Sequence, residues 1–223
     1  MTHLPLSPAF SHPGSGDKKL KLAVLGSTRG TNLTAIVDAI QTKNLNAEII
    51  LVLSNKADAG ILVKAENFGL AQQALVPEVN ESRNHYDQRL IRVLKAYQAE
   101  LVVLIGYMRI LSPEVIAAFP NRIINVHPSL LPKHKGLMNL AVHEAVLRAH
   151  ETESGCSVHW VTEEVDAGQV LVQKHCPVYK EDTPETLKAR VQALEGAALV
   201  AAIRIIAGEY KGYCADTTAR TSS

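Results

Sequence analysis

Along this chain, short aliphatic runs alternate with segments whose apolar positions recur every three or four residues. "LKLAVLGS" (20–27) is the first run, and "LTAIVDAIQT" after it places Leu33, Ile36, Val37 and Ile40 on one helical face. A second run, "AEIILVLSN" (47–55), precedes a helical pattern near 59–68 and the weaker strand "AQQALV" (71–76). "SRNHYDQRLIRVLKAYQ" (82–98) aligns Leu90, Ile91, Leu94 and Tyr97, and "ELVVLIGY" (100–107) comes after it. A short helix is expected after Ser112-Pro113-Glu114, then the strand "RIINVH" (122–127).

The pattern then changes. "NLAVHEAVLRAH" (139–150) reads as a helix, and "GCSVHWVTEEVDAGQVLVQKHCPV" (155–178) reads as two strands joined by an Asp-Ala-Gly turn. A last helix spans 182–208, with Thr183 as N-cap, Pro184 in the first helical position and Glu185 in the first turn. Continuous aliphatic strands alternating with helices imply strands covered on both faces. The expected fold class is therefore α/β: a mainly parallel, Rossmann-like open sheet with helices on both faces, closed by a C-terminal β-hairpin and final helix. One domain is expected over 19–208, between a disordered N-terminal arm (1–18) and a C-terminal tail (209–223).

Composition narrows the function. The 223 residues are 47% hydrophobic but only 4% aromatic, so aliphatic side chains must fill the core. No apolar run approaches the roughly 20 residues that cross a bilayer, and no signal-peptide pattern follows Met1. Cys156, Cys176 and Cys214 are too few and too scattered for a disulfide framework or a zinc site, which suits a reducing cytoplasm. A net charge of +1 gives no reason to expect a nucleic-acid partner.

Three places could carry chemistry. "GSTRGTNL" (26–33) joins a strand to a helix, where backbone N–H groups can hold an anion. It lacks the glycines at 28 and 31 of a dinucleotide fingerprint, and the Gly-Lys-Ser/Thr of a P-loop, so a small phosphate monoester fits it better. "IGYMRILSP" (105–113) brings Met108 and Arg109 to a strand's C-terminal end, where ligands collect in open α/β sheets. Asn125 and His127 lie two apart on a strand, hence on one side of it, and Pro128 keeps His127 extended. An imidazole beside an amide donor suits a carbonyl that becomes an oxyanion. Asp166 could bring its carboxylate to His127 and raise the histidine's pKa. The residues alone leave each of these open: a plain strand–helix turn, a solvated Arg109, a satisfied buried His127 and a turn-stabilising Asp166 fit the same spacing. The other eight histidines show no ligand spacing and read as surface or loop residues.

Taken in order, "GSTRGTNL", "SNK", "GYMRILSP", "INVHPSLLPKHKG", "GCSVHWVTEEVDAGQVLVQ" and "ARVQALEGAAL" resemble the phosphoribosylglycinamide formyltransferases over about residues 20–208. The Asn-x-His-Pro-Ser-Leu-Leu-Pro segment with a downstream Asp-x-Gly marks the wider folate-dependent formyltransferase superfamily. The resemblance implies that Asn125, His127 and Asp166 are catalytic, and that Gly30, Thr31 and Asn32 cradle a substrate phosphate. Glu195 would lie near the substrate's glycinamide and ribose end. Met108, Arg109, Ile110 and Leu111 would border the folate pterin, with Thr162, Glu163, Glu164, Val165 and Asp166 on its other side and Arg83 touching the folate. A cis bond is expected at Leu131–Pro132. Two departures stand out: Thr28 replaces a glycine of the usual first loop, and residues 137–153 run about three longer than in some relatives, so no roles carry over there.

The implied reaction moves a formyl group from 10-formyltetrahydrofolate to the amine of glycinamide ribonucleotide by direct attack, with no metal. The implied partners are small molecules only, with no nucleic acid or membrane, and the chain would be a cytoplasmic monomer or homodimer. Formyltetrahydrofolate hydrolases usually add an N-terminal domain, and methionyl-tRNA formyltransferases a C-terminal barrel. The short segments flanking 19–208 favour the glycinamide branch. A folate or sugar-phosphate binder with a decayed site is the alternative from another class, and the full trio argues against it.

Overall fold

A computed structural model describes residues 18–208. Its elements track the hydrophobic pattern in order: β1 (Leu20–Leu25), α1 (Thr31–Gln41), β2 (Ala47–Ser54), α2 (Gly60–Asn67), β3 (Gln72–Ala74), α3 (Arg83–Ala96), β4 (Leu101–Leu104), α4 (Pro113–Ala118) and β5 (Ile123–His127). Then come α5 (Leu140–Arg148), β6 (Glu153–Trp160), β7 (Val170–Pro177) and α6 (Pro184–Ile206). The seven strands form one sheet in the order β3-β2-β1-β4-β5-β6-β7. Pairing is parallel from β3 through β5 and antiparallel from β5 to β7. The expected arm and tail lie outside the described residues, apart from Lys18, whose ammonium reaches Glu100 at 2.6 Å.

Aliphatic strands make sense here because both sheet faces are covered. Leu22 and Val24 of β1, with Leu101 and Val103 of β4, pack on one side beneath α1, α2, α5 and α6. Ala23, Leu25, Val102 and Leu104 alternate to the other side, against Tyr86, Leu90 and Leu94 of α3 and Val115 of α4. Each fully buried Leu or Val side chain contributes on the order of 1.5–3 kcal/mol, so a two-sided core of this extent fixes strand register. A slip of one residue would exchange the two faces.

Two local features shape the C-terminal half. Thr183 caps α6 in a reciprocal box: its hydroxyl accepts the Thr186 N–H at 3.3 Å, and Thr186 accepts the Thr183 N–H at 2.9 Å. The helix then lies across α1, α5, β6 and β7, joining both halves of the sheet. The β6–β7 connection is not the tight Asp-Ala-Gly turn expected from the sequence. It runs through residues 161–169, because Val161 continues beside β5 and donates to Ile123 O at 2.9 Å before the chain turns back.

Candidate active site

The chain runs outward from β1 to β2 and β3, then returns to β4 on the other side of β1. This reversal opens a crevice beyond the C-terminal ends of β1, β4 and β5. A cavity of about 430 Å³ lies there, within the usual range for small-molecule sites.

One wall is the turn from β1 into α1. Gly30 is the residue before the helix and adopts a left-handed conformation, φ 61° and ψ 42°. A Cβ there would lie 2.6 Å from Cβ of Ile61, so only glycine fits. Thr28 does not take a positive φ, which explains why the loop needs no glycine at that position. Thr31 and Asn32 open α1, and first-turn N–H groups have no acceptor within their own helix, so the end of α1 favours an anion. The Asn32 amide donates to Glu195 Oε2 at 2.6 Å, and Gln192 Nε2 donates to Thr31 Oγ1 at 3.3 Å. Burial raises the Glu195 carboxyl above its ordinary range, against the opposing pulls of Asn32 and Lys188.

The second wall is Met108–Leu111. Ser27 Oγ accepts the Met108 N–H at 2.8 Å, tying this wall to the first. Arg109 is half-buried with its guanidinium 4.0 Å over the Tyr86 ring, and the Tyr86 and Tyr107 hydroxyls meet at 3.0 Å behind it. Arg83 does not line the cavity. It stands behind this wall and donates to the carbonyls of Ile110 and Leu111 at 2.8 and 2.9 Å. Across the opening, Thr162, Val165 and Asp166 line the cavity, whereas Glu163 and Glu164 do not, and Glu164 pairs with Lys135 at 2.7 Å on the exposed side. Ile110 and Val165 present exposed apolar side chains from opposite sides of the opening.

Asn125, His127 and Asp166 meet between these walls. His127 Nδ1 lies 3.2 Å from Asp166 Oδ2, and its Nε2 lies 3.2 Å from the carbonyl oxygen of His134. That carbonyl is brought back by the loop after Pro128. Leu131–Pro132 is cis as expected, and Ser157 Oγ accepts the Leu131 N–H at 2.9 Å while donating to Ser129 O at 2.6 Å. Asp166 sits in the left-handed region at φ 54° and accepts the Gly136 N–H at 2.9 Å.

The charge balance corrects one expectation. His127 is only 3% exposed, and burial holds its imidazole below the ordinary value, outweighing the Asp166 carboxylate and the His134 carbonyl that work to raise it. Burial also works to raise Asp166, but its contacts with His159, the Gly136 N–H and His127 outweigh it and keep the carboxyl ionised.

Two histidines read as surface or loop residues are instead buried in the cavity wall. His159 of β6 faces Asn125 across the β5–β6 pair. Its Nδ1 donates to Trp160 O at 2.9 Å, and its Nε2 lies 3.3 Å from the Asn125 amide nitrogen. Asp166 Oδ1 lies 3.5 Å from the same Nε2. His143 of α5 is 1% exposed, and its Nδ1 has no partner. Neither position is legible in spacing. Leu137, Met138 and Asn139 complete the rim from the longer 137–153 segment. Among the described residues no cluster of three His, Cys, Asp or Glu could hold a metal, and no helix is long and apolar enough to cross a membrane.

Comparison with known proteins agrees with this arrangement. The formyl transferase family model matches residues 20–203. The phosphoribosylglycinamide formyltransferase of Escherichia coli is 42% identical over 178 residues, 80% of this chain and 82% of that one. The trifunctional purine biosynthetic protein adenosine-3 of Gallus gallus is 42% identical over 85% of this chain, which spans only 18% of that longer protein. Among solved structures, glycinamide ribonucleotide transformylase 1 from Symbiobacterium toebii superposes with a TM-score of 0.82 at 37% identity, covering 87% of this chain and 90% of that one. The phosphoribosylglycinamide formyltransferase from Coxiella burnetii gives 0.80 at 41% identity, covering 86% and 89%. The chain belongs to the formyl transferase family.

Proposed function

We propose that this protein is a phosphoribosylglycinamide formyltransferase, which moves a formyl group from 10-formyltetrahydrofolate to the primary amine of glycinamide ribonucleotide in purine biosynthesis. The observation that carries the reading is the convergence of Asn125, His127 and Asp166 between an anion-binding helix end and an apolar-edged slot. The phosphate belongs at Gly30, Thr31 and Asn32, and the glycinamide end extends past Glu195 toward His127. The flat pterin of the donor fits the slot between Met108–Leu111 and Thr162–Asp166. Arg83 serves that slot by bracing the carbonyls of its wall, and Glu163 and Glu164 act only as its outer rim. The site is built for small molecules, which accords with a cytoplasmic enzyme.

The formyl donor supplies an electrophilic carbonyl carbon and a nitrogen leaving group. The ribonucleotide amine attacks that carbon, and the carbonyl oxygen becomes an oxyanion. Asn125 donates to it through its side-chain amide. Burial favours the neutral form of His127, which can take the proton that the attacking nitrogen sheds. Asp166 then stabilises the imidazolium, and the proton passes to the folate nitrogen as its bond to the formyl carbon breaks. The products are formylglycinamide ribonucleotide and tetrahydrofolate.

The test uses the purified protein with 10-formyltetrahydrofolate. Free tetrahydrofolate should appear only when glycinamide ribonucleotide is added. Release without it would make the protein a hydrolase, and no release with both substrates would leave a binding protein. Asp166→Asn removes the charge that favours imidazolium, so it should lower kcat and move the acid limb of the rate profile to lower pH. An acid limb unmoved by that change would separate Asp166 from His127.

A further inference from the structure

The cavity carries a cation that formyl transfer itself does not use. Lys188 lies on α6, is partly buried and lines the cavity alongside Gln192 and Glu195. Its charge is felt by Glu195 and by His143, which line the same space.

Its place depends on how α6 runs beside α1. A Cβ on Gly196 would lie 2.6 Å from Cβ of Ala35, and four residues earlier Gln192 touches Thr31. The two helices are therefore in step and parallel, turn for turn. Another four residues back, α1 has ended but α6 continues, so Lys188 sits about 6 Å beyond the first residue of α1. That is the region into which the free N–H groups of α1 point. The buried, unpartnered Nδ1 of His143 lines the same cavity, a second polar group left without a protein partner.

Arg29 and Arg109 are the other permanent cations on the cavity wall. Arg29 directly precedes Gly30, and its Cγ lies 3.7 Å from where a Cβ on Gly60 would be. Arg109 is stacked on Tyr86, on the opposite side of the sheet from α6.

We propose that Lys188 is the side-chain cation of the phosphate site: its ammonium binds the phosphomonoester that the Gly30–Asn32 turn holds by backbone, and so makes the enzyme prefer the phosphorylated acceptor to the bare riboside. A dianionic phosphate has more acceptor oxygens than a helix end can satisfy, and a mobile ammonium meets the remainder. The inference rests on the proposed ribonucleotide acceptor.

The experiment compares wild type, Lys188→Met and Lys188→Arg. Lys188→Met should raise KM for glycinamide ribonucleotide by about 10- to 100-fold, as expected for loss of one charge-assisted contact. KM for the formyl donor and the melting temperature should hold steady, and Lys188→Arg should recover most of the loss. With the dephosphorylated riboside as acceptor, wild type and Lys188→Met should have equal kcat/KM. Equal losses on both acceptors, or no loss on either, would overturn the assignment. Inorganic phosphate titrated calorimetrically into each protein separates this question from the identity of the acceptor. Binding at least about tenfold weaker in Lys188→Met supports the phosphate role even if glycinamide ribonucleotide is not turned over, and equal binding refutes it.

Discussion

Lowering the pH from about 7 to about 5 should destabilise the fold through His143, and replacing that residue should remove the effect. Burial, with the charges of Lys188 and, once it is protonated, His127 behind it, pushes the His143 imidazole from 6.5 down to about 4. The unfolded chain regains the ordinary value, so between these two limits the unfolded state holds more protons than the folded one. Stability therefore falls as pH drops through that window. Taken all the way to pH 4 the loss is about 3 kcal/mol, and by pH 5 it is about 2 kcal/mol. That is a large share of the roughly 5–15 kcal/mol of a typical domain. His127, also lowered, adds to the loss with the same sign. The lowered carboxyls Glu151, Asp166 and Asp182 remain ionised throughout this window and contribute little to the change. His143→Leu has similar bulk and discards a nitrogen that has no partner, so stability at pH 7 should hold or rise. Urea unfolding followed by circular dichroism at both pH values gives the difference directly. Wild type should lose about 2 kcal/mol more than His143→Leu on going to pH 5. Equal losses in the two proteins would mean that His143 is not held neutral by its surroundings, and the reasoning from burial would fail.

Asn125→Ala should lower kcat by about 10²–10³ with little change in either KM, because it removes a donor needed chiefly when the oxyanion forms; stopped-flow release of tetrahydrofolate measures it. Gly30→Ala should lower the melting temperature and raise KM for the ribonucleotide well above that for the formyl donor. The added Cβ must enter both a left-handed backbone and the space of Ile61, and equal effects on the two KM values would remove Gly30 from the phosphate site.

The elements readable in the sequence are those whose evidence is local. β1, β4 and β5 announce themselves as aliphatic runs because both faces are buried, and α6 does so through Thr183 and Pro184 at its start. Asn125 and His127 are readable together because strand geometry alone puts them on one side. What stays hidden depends on partners far along the chain. The pairing of β5 with β6 brings His159 opposite Asn125, and nothing within either segment encodes that register. The outward turn of Glu163 and Glu164 depends on how Asp166, in a left-handed conformation, is anchored to Gly136, thirty residues earlier. The sign of the His127 shift escapes the sequence for the same reason. A nearby carboxylate can be guessed from motif order, but the burial opposing it is a property of the assembled walls.

That reversed sign shapes the proposed mechanism. An imidazolium already present in the resting enzyme could donate to an oxyanion, yet it could not take a proton from the attacking amine. In the proposed reaction, burial keeps His127 ready as a base, and Asp166 supplies its stabilisation only once the proton arrives. The carboxylate need not win in the ground state. It needs only to lower the energy of the charged pair formed during the reaction, where an interaction stronger in the transition state raises kcat. The proposed mechanism divides these tasks between Asn125, assigned to the oxyanion, and Asp166, which faces the His127 ring, while His159 lies against the Asn125 amide.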